Sequence, residues 1–258
     1  MAIYFFSADI VRRSKGQSSL AASAYQNAQK HQDYRDGHVF NFTHKKDVIF
    51  HKVLLPDGAP HEYANSEVLW NAAEIKEDQQ NKPEIAQSAR TILIALPNEV
   101  EISNEERKDL VERFVAEVFV SQGMIADLSV HDKGDGNPHA HVLLTMREVG
   151  PDGFGLKNRK WNRQIQFWRS EWAKAQNHLL MTKGLEARVS HKSHKRRGND
   201  DHKPTLHLGP VLSAMERRGV KTKKGNYNRE VFAEREQKKL ERQLELENIR
   251  NHERERGR

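Results

Sequence analysis

Two short runs in which apolar and polar residues alternate, 125–131 and 139–147, constrain the fold most. Alternation with a period of two is typical of a β-strand that has one apolar and one polar face. The seven residues between the runs, DKGDGNP, are rich in turn formers and suit a connection between antiparallel neighbours. The sequence therefore predicts two antiparallel strands whose apolar side chains pack on one side of a sheet.

Three histidines occupy the polar side of these strands. His139 and His141 share a face of the second strand, and His131 has the same parity on the first. Three neutral imidazoles can bind a divalent transition metal and leave positions open for substrate oxygens, which is the layout of a catalytic metal site. An isolated His-x-His pair is more often an ordinary polar strand face, but the third histidine of matched parity favours the metal site.

Composition limits the chemistry and the location of the protein. None of the 258 residues is cysteine, so a metal must be bound by imidazole and carboxylate groups. The longest apolar run, Ile92 to Leu96, has only five residues, whereas a bilayer-spanning helix needs about 20. The N-terminal segment has neither the charge order nor the cleavage site of a secretory signal. These features predict a cytoplasmic protein without membrane insertion.

The remaining patterns predict an α+β domain that ends near residue 190. Residues 3–10 and 90–96 are predicted as strands, and residues 38–56 as a strand and hairpin closed by a Pro-Asp-Gly turn. Helical patterns cover 18–30, 64–80, 104–121 and 161–183, and the third has an apolar stripe of Leu110, Val111, Phe114, Val115, Val118 and Phe119.

Charge and composition change along the chain. Residues 1–150 carry 16 basic and 22 acidic side chains, whereas residues 151–258 carry 27 and 14. Such asymmetry indicates a second part that contacts a polyanion, although solvated Lys/Arg helices explain the charge alone equally well. We expect a first domain of residues 1–190 and a basic, charged extension of residues 191–258. Its last segment, 229–257, is predicted to be a solvated helix or part of a coiled coil.

Tyr25 is the candidate nucleophile. It stands among small residues in the helical stretch GQSSLAASAYQNAQK. An activated phenol can attack phosphorus and form a phosphotyrosyl ester that conserves the energy of the broken bond. A core aromatic on an amphipathic helix is the usual explanation for such a tyrosine, and the surrounding pattern argues against it here.

Two segments, residues 1–30 and HDKGDGNPHAHVLLTMR at 131–147, together resemble the MobA/MobL-type conjugative relaxases, plasmid mobilisation proteins of the HUH endonuclease group. The similarity covers roughly residues 1–190, with ALPNE at 95–99 and GMIADLSVH at 123–131, and residues 207–222 also resemble sequence that follows the nicking domain in some mobilisation proteins. The resemblance implies a central antiparallel β-sheet flanked by helices, with the tyrosine helix facing the sheet. It also implies that Tyr25 is the nucleophile and that His131, His139 and His141 bind a divalent metal ion, foremost Mg²⁺ or Mn²⁺.

One position departs from the family's pattern. Members usually carry a glutamate in the strand before the leucine-proline pair, which would fall at Thr91 or Leu93, and neither is acidic. That carboxylate is expected to orient a metal-binding histidine or help deprotonate the tyrosine. Thr91 is expected to accept an imidazole N–H as a weaker partner, while the metal and solvent lower the tyrosine's barrier. Two other carboxylates are candidate replacements for the missing glutamate, but both are distant along an extended strand. Glu84 lies about 23 Å from Thr91, so it could act only if the chain folds back, and Asp127 lies about 13 Å from His131.

A relaxase must also hold single-stranded DNA, which is bound by basic grooves with aromatic rings for stacking. Trp161 is the stacking candidate at the start of its helix, whereas Trp168 and Trp172 are expected to form the helix's core face. The predicted phosphate contacts are Lys157, Arg159, Lys160, Arg163, Lys195, Arg196 and Arg197, with Lys221 to Lys224 as a further basic stretch.

These features predict an enzyme that nicks and rejoins one DNA strand at a plasmid origin of transfer through a covalent 5′-phosphotyrosyl intermediate, with residues 1–190 as the nicking domain. Its expected partners are single-stranded and duplex DNA, with relaxosome accessory proteins and the conjugative secretion machinery as further candidates. Two alternatives stay open. One is a rolling-circle replication initiator, which uses the same reaction, and the other is a non-catalytic DNA-binding protein with a vestigial site.

Overall fold

The computed structural model describes residues 4–193, 195–198, 203–206 and 208–256. The chain forms two compact units that meet in sequence between His191 and Lys192. The first unit has the expected α+β architecture, with a central antiparallel sheet flanked by helices. The second unit is a charged helical extension.

The described strands of the first unit are β1 (Phe6–Arg12), β2 (Lys30–Gln32), β3 (Val39–Asn41), β4 (Val48–Leu54), β5 (Gln87–Ala95), β6 (Ala126–His131), β7 (His139–Thr145), β8 (Arg147–Gly150) and β9 (Gly153–Lys157). Its α-helices are α1 (Ser19–Asn27), α2 (Ser66–Asp78), α3 (Asn104–Val118) and α4 (Trp161–Thr182). The hairpin predicted within residues 38–56 is wrong, because β3 pairs with β2 and β4 joins the main sheet beside β6.

Five strands form the main sheet in the order β1-β5-β7-β6-β4, and every neighbouring pair is antiparallel. β6 and β7 are partners as the sequence predicts, with His131 opposite His139 and Ser129 opposite His141. On the other side of β7, Leu93 of β5 lies opposite His141. The three histidines therefore lie on adjacent central strands, near one end of the sheet.

The apolar face of the sheet packs against α3 and α4. Alternate residues of the central strands, Ile92, Ile94, Leu128, Val130, Ala140, Val142 and Leu144, form one core with Val111, Phe114, Val115, Phe119, Trp168 and Trp172. The predicted stripe of α3 is buried, and the helix begins with a capping box in which Ser103 and Glu106 satisfy each other's backbone N–H groups. The parity of β6 and β7 and the core positions of Trp168 and Trp172 are thus confirmed.

Trp161 corrects the sequence analysis. Its side chain is 1% exposed and packs edge-on against Trp168, with ring centroids 5.1 Å apart. A basic neighbourhood in the sequence suggested exposure, but the helix turns this ring into the core at the first position of α4. Trp161 is therefore a core residue in this structure. Because a base can stack only on an accessible ring, Trp161 is not a stacking platform.

The opposite face of the sheet is covered by α1 and α2, and its two ends differ. At one end Leu20, Leu69 and Trp70 pack on Val11, Ala89 and Leu143 to form a second core. At the other end the same face carries the three histidines. Helix α1 contacts both, because its first turn joins the apolar end and its last turn reaches the histidines.

A fully buried carboxylate fastens α1 to the sheet. Asp127 of β6 accepts hydrogen bonds from Ser23 Oγ at 2.7 Å, Trp70 Nε1 at 2.8 Å and His51 Nε2 at 2.9 Å, and from Asn27 Nδ2 at 3.0 Å. Burial raises the pKa of Asp127, but these hydrogen bonds outweigh it and hold the pKa below its ordinary value. The buried charge is therefore satisfied by donors from α1, α2 and β4.

The second unit contains α5 (Gly209–Arg217) and the long helix α6 (Lys223–Arg256). Glu216 joins them, because it accepts hydrogen bonds from Thr222 N at 2.6 Å and Thr222 Oγ1 at 2.7 Å and pairs with Arg229 at 2.6 Å. Across the described part of the whole chain, the helices are all too short or too polar to cross a membrane.

Candidate metal and nucleophile site

The three imidazoles converge as the strand parity predicts. Their ring centroids are 4.5 Å apart for His131 and His141, and 5.3 Å apart for both pairs that include His139. One nitrogen from each ring lies within 4.8 Å of the others. Three neutral nitrogen donors on two rigid strands fit a divalent metal ion, so the donor chemistry and the spacing both meet the requirements of such a site.

Backbone carbonyls determine which nitrogens are free to bind an ion. His131 Nε2 donates to the carbonyl oxygen of Gln26 at 2.6 Å, which leaves Nδ1 with its lone pair. His139 Nδ1 donates to the carbonyl oxygen of Asn137 at 2.8 Å, which leaves Nε2 as the ligand atom. Hydrogen bonds of this kind orient metal-binding histidines and fix their tautomers. The expected partner role of Thr91 is thus carried out by carbonyl groups for two of the three rings.

Two of the histidines, His131 and His141, are neutral near pH 7. Burial is the main cause that lowers the pKa of His131 to about 4 and that of His141 to about 3, and neighbouring histidines contribute to both values. A neutral imidazole keeps a lone pair for a metal, whereas an imidazolium does not. Burial therefore prepares these rings as ligands rather than as acids.

Tyr25 lies on the outward side of α1, beside this site. Its side chain is 50% exposed, which excludes the core-aromatic explanation, and Phe42 packs edge-on against its ring at 5.4 Å. Lys45 Nζ lies 3.7 Å above the centre of the ring and donates to the Tyr25 carbonyl oxygen at 2.9 Å. The next residue along the helix, Gln26, is the one whose carbonyl binds His131.

The segment between β3 and β4 forms the wall of a cleft around this tyrosine. The cleft has a volume of about 700 Å³ and is lined by Tyr25, Phe42, His44, Lys45, Lys46, Asp47, Asp132 and Lys133. Sequence reasoning missed the residues from Phe42 to Asp47. The segment has no periodicity, and only the charge run of Lys45, Lys46 and Asp47 marks it.

Comparison with known proteins agrees with this arrangement. A family model described as the MobA/MobL family matches residues 17–218, a range that includes Tyr25 and all three histidines. The chain belongs to the MobA/MobL family. The resemblance inferred from the tyrosine segment and the histidine block is therefore confirmed.

Several relatives of this MobA/MobL chain have been named. It is 32% identical to the conjugal transfer protein TraA of Agrobacterium fabrum, and the alignment covers 84% of this chain and 22% of TraA. It is 30% identical to the probable mobilization protein MobA of Bifidobacterium longum, and the alignment covers 90% of this chain and 47% of MobA. It is also 31% identical to the mobilization protein MobL of Acidithiobacillus ferridurans, with 84% of this chain and 65% of MobL covered. The chain thus spans about a fifth to two thirds of these relatives.

A solved structure shares the fold. It was described under the molecular basis of vancomycin resistance transfer in Staphylococcus aureus, and it aligns with a TM-score of 0.68 at 31% sequence identity. The alignment covers 74% of this chain and 100% of the other. This likeness supports the α+β architecture of the first unit.

Thr91 lies on the same sheet face as the histidines, two residues along β5 from the partner of His141. It faces Asp9 of β1 and Leu143 of β7. Among the described residues, no hydrogen bond joins Thr91 to an imidazole. Because the N–H groups of His131 and His139 already bind carbonyl oxygens, the role expected of Thr91 stays a prediction for His141 alone.

The predicted DNA contacts within the first unit lie away from the histidines. Trp161 packs beneath Arg90, with 5.1 Å between the guanidinium carbon and the centre of the ring. Arg90 lies five residues before Ala95, the partner of His139, which is about 17 Å along β5. Arg159, Lys160 and Arg163 are exposed there, and Lys157 pairs with Glu77 at 2.8 Å. Arg196 and Arg197 are exposed in the second unit, and the side chain of Lys195 lies outside the described ones. DNA binding by these residues stays a prediction.

Proposed function

We propose that this protein nicks and rejoins one strand of DNA at a plasmid origin of transfer and so initiates conjugative mobilisation. Membership of the MobA/MobL family and the names of the relatives support a role in conjugative mobilisation. The relatives extend beyond the region that this chain matches, so the activity is inferred from the site itself rather than carried over from them.

One contact carries the proposal: the hydrogen bond of 2.6 Å between His131 Nε2 and the carbonyl oxygen of Gln26. It joins the residue that follows Tyr25 directly to a member of the histidine cluster. The nucleophile's helix and the ligand set are thus one structural unit, and the exposed phenol opens into a basic cleft beside them. This arrangement suits attack on a backbone phosphate, since it brings a hydroxyl nucleophile and a cation-binding cluster to one place.

The proposed reaction is a transesterification. The Tyr25 oxygen forms a bond to phosphorus while the bond from phosphorus to the 3′ oxygen breaks, which leaves a 5′-phosphotyrosyl ester and a free 3′ hydroxyl. The phenolic proton passes to solvent, and the departing 3′ oxygen takes up a proton. Because one phosphoester replaces another, attack by a 3′ hydroxyl on the ester reverses the step and rejoins the strand.

The chain's own residues divide the work of this reaction. His131, His139 and His141 would hold a divalent metal ion, which would supply positive charge against a non-bridging phosphate oxygen. Lys45 holds the tyrosine through its carbonyl and its ring face, while Lys46 and Lys133 supply positive charge for flanking phosphates. Arg159, Lys160, Arg163, Arg196 and Arg197 would contribute salt-dependent affinity farther along the strand.

Trapping the covalent species tests the proposal. The wild-type chain is incubated with Mn²⁺ and labelled single-stranded oligonucleotides tiled across the transfer origin of the element that encodes it, then analysed on a denaturing gel. We expect a denaturation-resistant complex that Tyr25→Phe abolishes while DNA binding stays within about twofold, because only the attacking oxygen is lost. The double variant His139→Ala, His141→Ala should lose both the complex and Mn²⁺ binding.

Tyr34→Phe is the matched control. Tyr34 is also exposed, at 56%, but its hydroxyl donates to Glu67 at 3.0 Å and is not in the cleft. This variant should retain the complex. A complex that persists in Tyr25→Phe would refute the nucleophile assignment, and a wild-type chain that binds DNA without ever forming one would favour the non-catalytic alternative.

A further inference from the structure

Asp47 occupies a fixed position beside the histidine cluster. It immediately precedes β4, whose first residue, Val48, lies opposite His131 in the sheet. The Asp47 carbonyl oxygen accepts a hydrogen bond from Asp132 N at 2.9 Å, which continues the pairing of the two chain segments by one residue. The backbone of Asp47 is therefore tied to the same sheet edge that presents His131.

The carboxylate of Asp47 faces the free nitrogen of His131. Asp47 Oδ2 lies 3.7 Å from His131 Nδ1, and the Asp47 side chain is only 12% exposed. Since Nε2 donates its proton to Gln26, the Nδ1 of the neutral ring presents a lone pair to a carboxylate oxygen. Two electron-rich atoms then face each other, an arrangement that a bound cation would resolve. Ligand atoms about 2.0–2.2 Å from one ion lie ~3–4 Å apart, and this pair falls in that range.

Among the described residues, only long ion pairs reach this carboxylate. Lys133 Nζ is 3.6 Å from Oδ2 and Lys45 Nζ is 3.9 Å from Oδ1, both beyond hydrogen-bonding distance. Asp47 Oδ1 is buried and, among the described residues, has no hydrogen-bond partner. By contrast, Glu77 pairs with Arg147 and Lys157 at 2.8 Å each. Asp47 therefore has one buried oxygen without a hydrogen-bond donor, and the two lysines contact the carboxylate only at longer distances.

The neighbouring strands offer no competing acid. On β5 the residue opposite His141 is Leu93, and on β6 it is Ser129. Asp127, on the same face of β6, is already occupied by donors from α1, α2 and β4. Of these carboxylates, Asp47 alone combines a contact to a histidine ligand with an unsatisfied oxygen.

We propose that Asp47 contributes a carboxylate oxygen to the coordination of the divalent ion held by His131, His139 and His141. This rests on the proposed function only in that the three histidines bind such an ion. The ligand set would then be three nitrogens and one oxygen, with the carboxylate supplied from the sheet edge.

Calorimetric titration of the full chain with Mn²⁺ tests this inference without any DNA. We expect Asp47→Asn to weaken Mn²⁺ binding at least tenfold, because it removes a charged oxygen ligand while preserving the shape of the side chain. Asp132→Asn is the matched control, since it makes the same charge change in the same cleft, while the Asp132 carboxylate accepts a hydrogen bond from Gly134 N and, among the described residues, forms no ion pair with a histidine. It should bind Mn²⁺ within about twofold of the wild type.

Two further measurements separate coordination from a merely structural role. The visible spectrum of the Co²⁺-loaded protein depends on the ligand set, so Asp47→Asn should shift its bands while Asp132→Asn should not. Asp47→Glu should recover part of the Mn²⁺ affinity and of the Co²⁺ spectrum when each protein is measured equally far below its own melting temperature.

Asp47→Asn with wild-type affinity and an unchanged Co²⁺ spectrum would overturn the inference. If the wild type still forms its DNA complex in that case, the proposed function stands without Asp47. A wild type that binds no Mn²⁺ would refute both the inference and the metal site on which it rests.

Discussion

Replacing Ser23 by alanine should destabilise the first unit by about 2 kcal/mol. Ser23 is fully buried, and its hydroxyl donates to Asp127 Oδ2 at 2.7 Å. A hydrogen bond to a charged partner contributes about 1.5–3 kcal/mol, and the better helix propensity of alanine returns a few tenths. Asn27 is not orphaned, because its Nδ2 keeps Asp127 and Ser66 as acceptors. The expected loss is therefore dominated by the charge-assisted bond to Asp127, with the 3.1 Å hydrogen bond between Ser23 Oγ and His31 Nε2 lost as well.

Urea unfolding followed by tryptophan fluorescence measures this change. All four tryptophans are buried in the first unit, so their emission reports its unfolding. The melting temperature should fall by about 4–8 °C. The exposed Ser14→Ala variant is the control and should stay within about 0.5 kcal/mol of the wild type. If Ser23→Ala is equally neutral, the hydrogen bonds to Asp127 do not hold α1 on the sheet and that reasoning fails.

Two further predictions concern stability. Trp161→Ala should cost about 3–5 kcal/mol in urea unfolding, because a core ring is removed; a loss below about 1 kcal/mol would restore Trp161 as a surface residue. Acid should destabilise the first unit through Glu74. Burial raises the pKa of Glu74, but hydrogen bonds from Ser19 and Arg13 outweigh burial and bring this pKa below its ordinary value. The stabilisation is complete above the unfolded pKa of about 4.5 and is lost as the pH falls toward the folded pKa. Urea midpoints between pH 7 and pH 3 should show this loss, and Glu74→Gln should reduce its slope.

Regular periodicity explains what could be predicted from the sequence. Period-two alternation placed the histidines on one face of β6 and β7, and the stripe of α3 identified its buried side. Both patterns reflect a repeated choice between core and solvent, so several residues report the same fact. The same logic failed for residues 38–56, because alternation does not say which strand is the neighbour.

Only the three-dimensional structure distinguishes Trp161 from a surface aromatic. Its neighbours in sequence are basic, but exposure depends on the direction in which a side chain leaves the helix. At the first residue of α4 no preceding turn exists to establish a periodic stripe. The interleaving of basic and aromatic residues therefore could not separate a stacking ring from a core ring.

The contacts of Lys45 and Asp47 could not be predicted for a different reason. Both residues lie in an irregular connection, where backbone geometry and not periodicity brings distant groups together. Lys45 reaches Tyr25 across 20 residues of sequence, and Asp47 reaches His131 across a sheet edge.

Helix α1 shows why the tyrosine is better explained by chemistry than by packing. Ser23, Gln26 and Asn27 face the sheet and hydrogen-bond to Asp127 or His131, whereas Tyr25 points away from that face and is half exposed. Half of this large ring is left exposed at its outward position, so burial stabilises it less than it would stabilise a core aromatic. The inward side of the helix is held to β6 at three successive contacts. The arrangement therefore leaves the Tyr25 side chain open to the cleft on a helix that is hydrogen-bonded to His131, which suits the proposed attack on a bound phosphate.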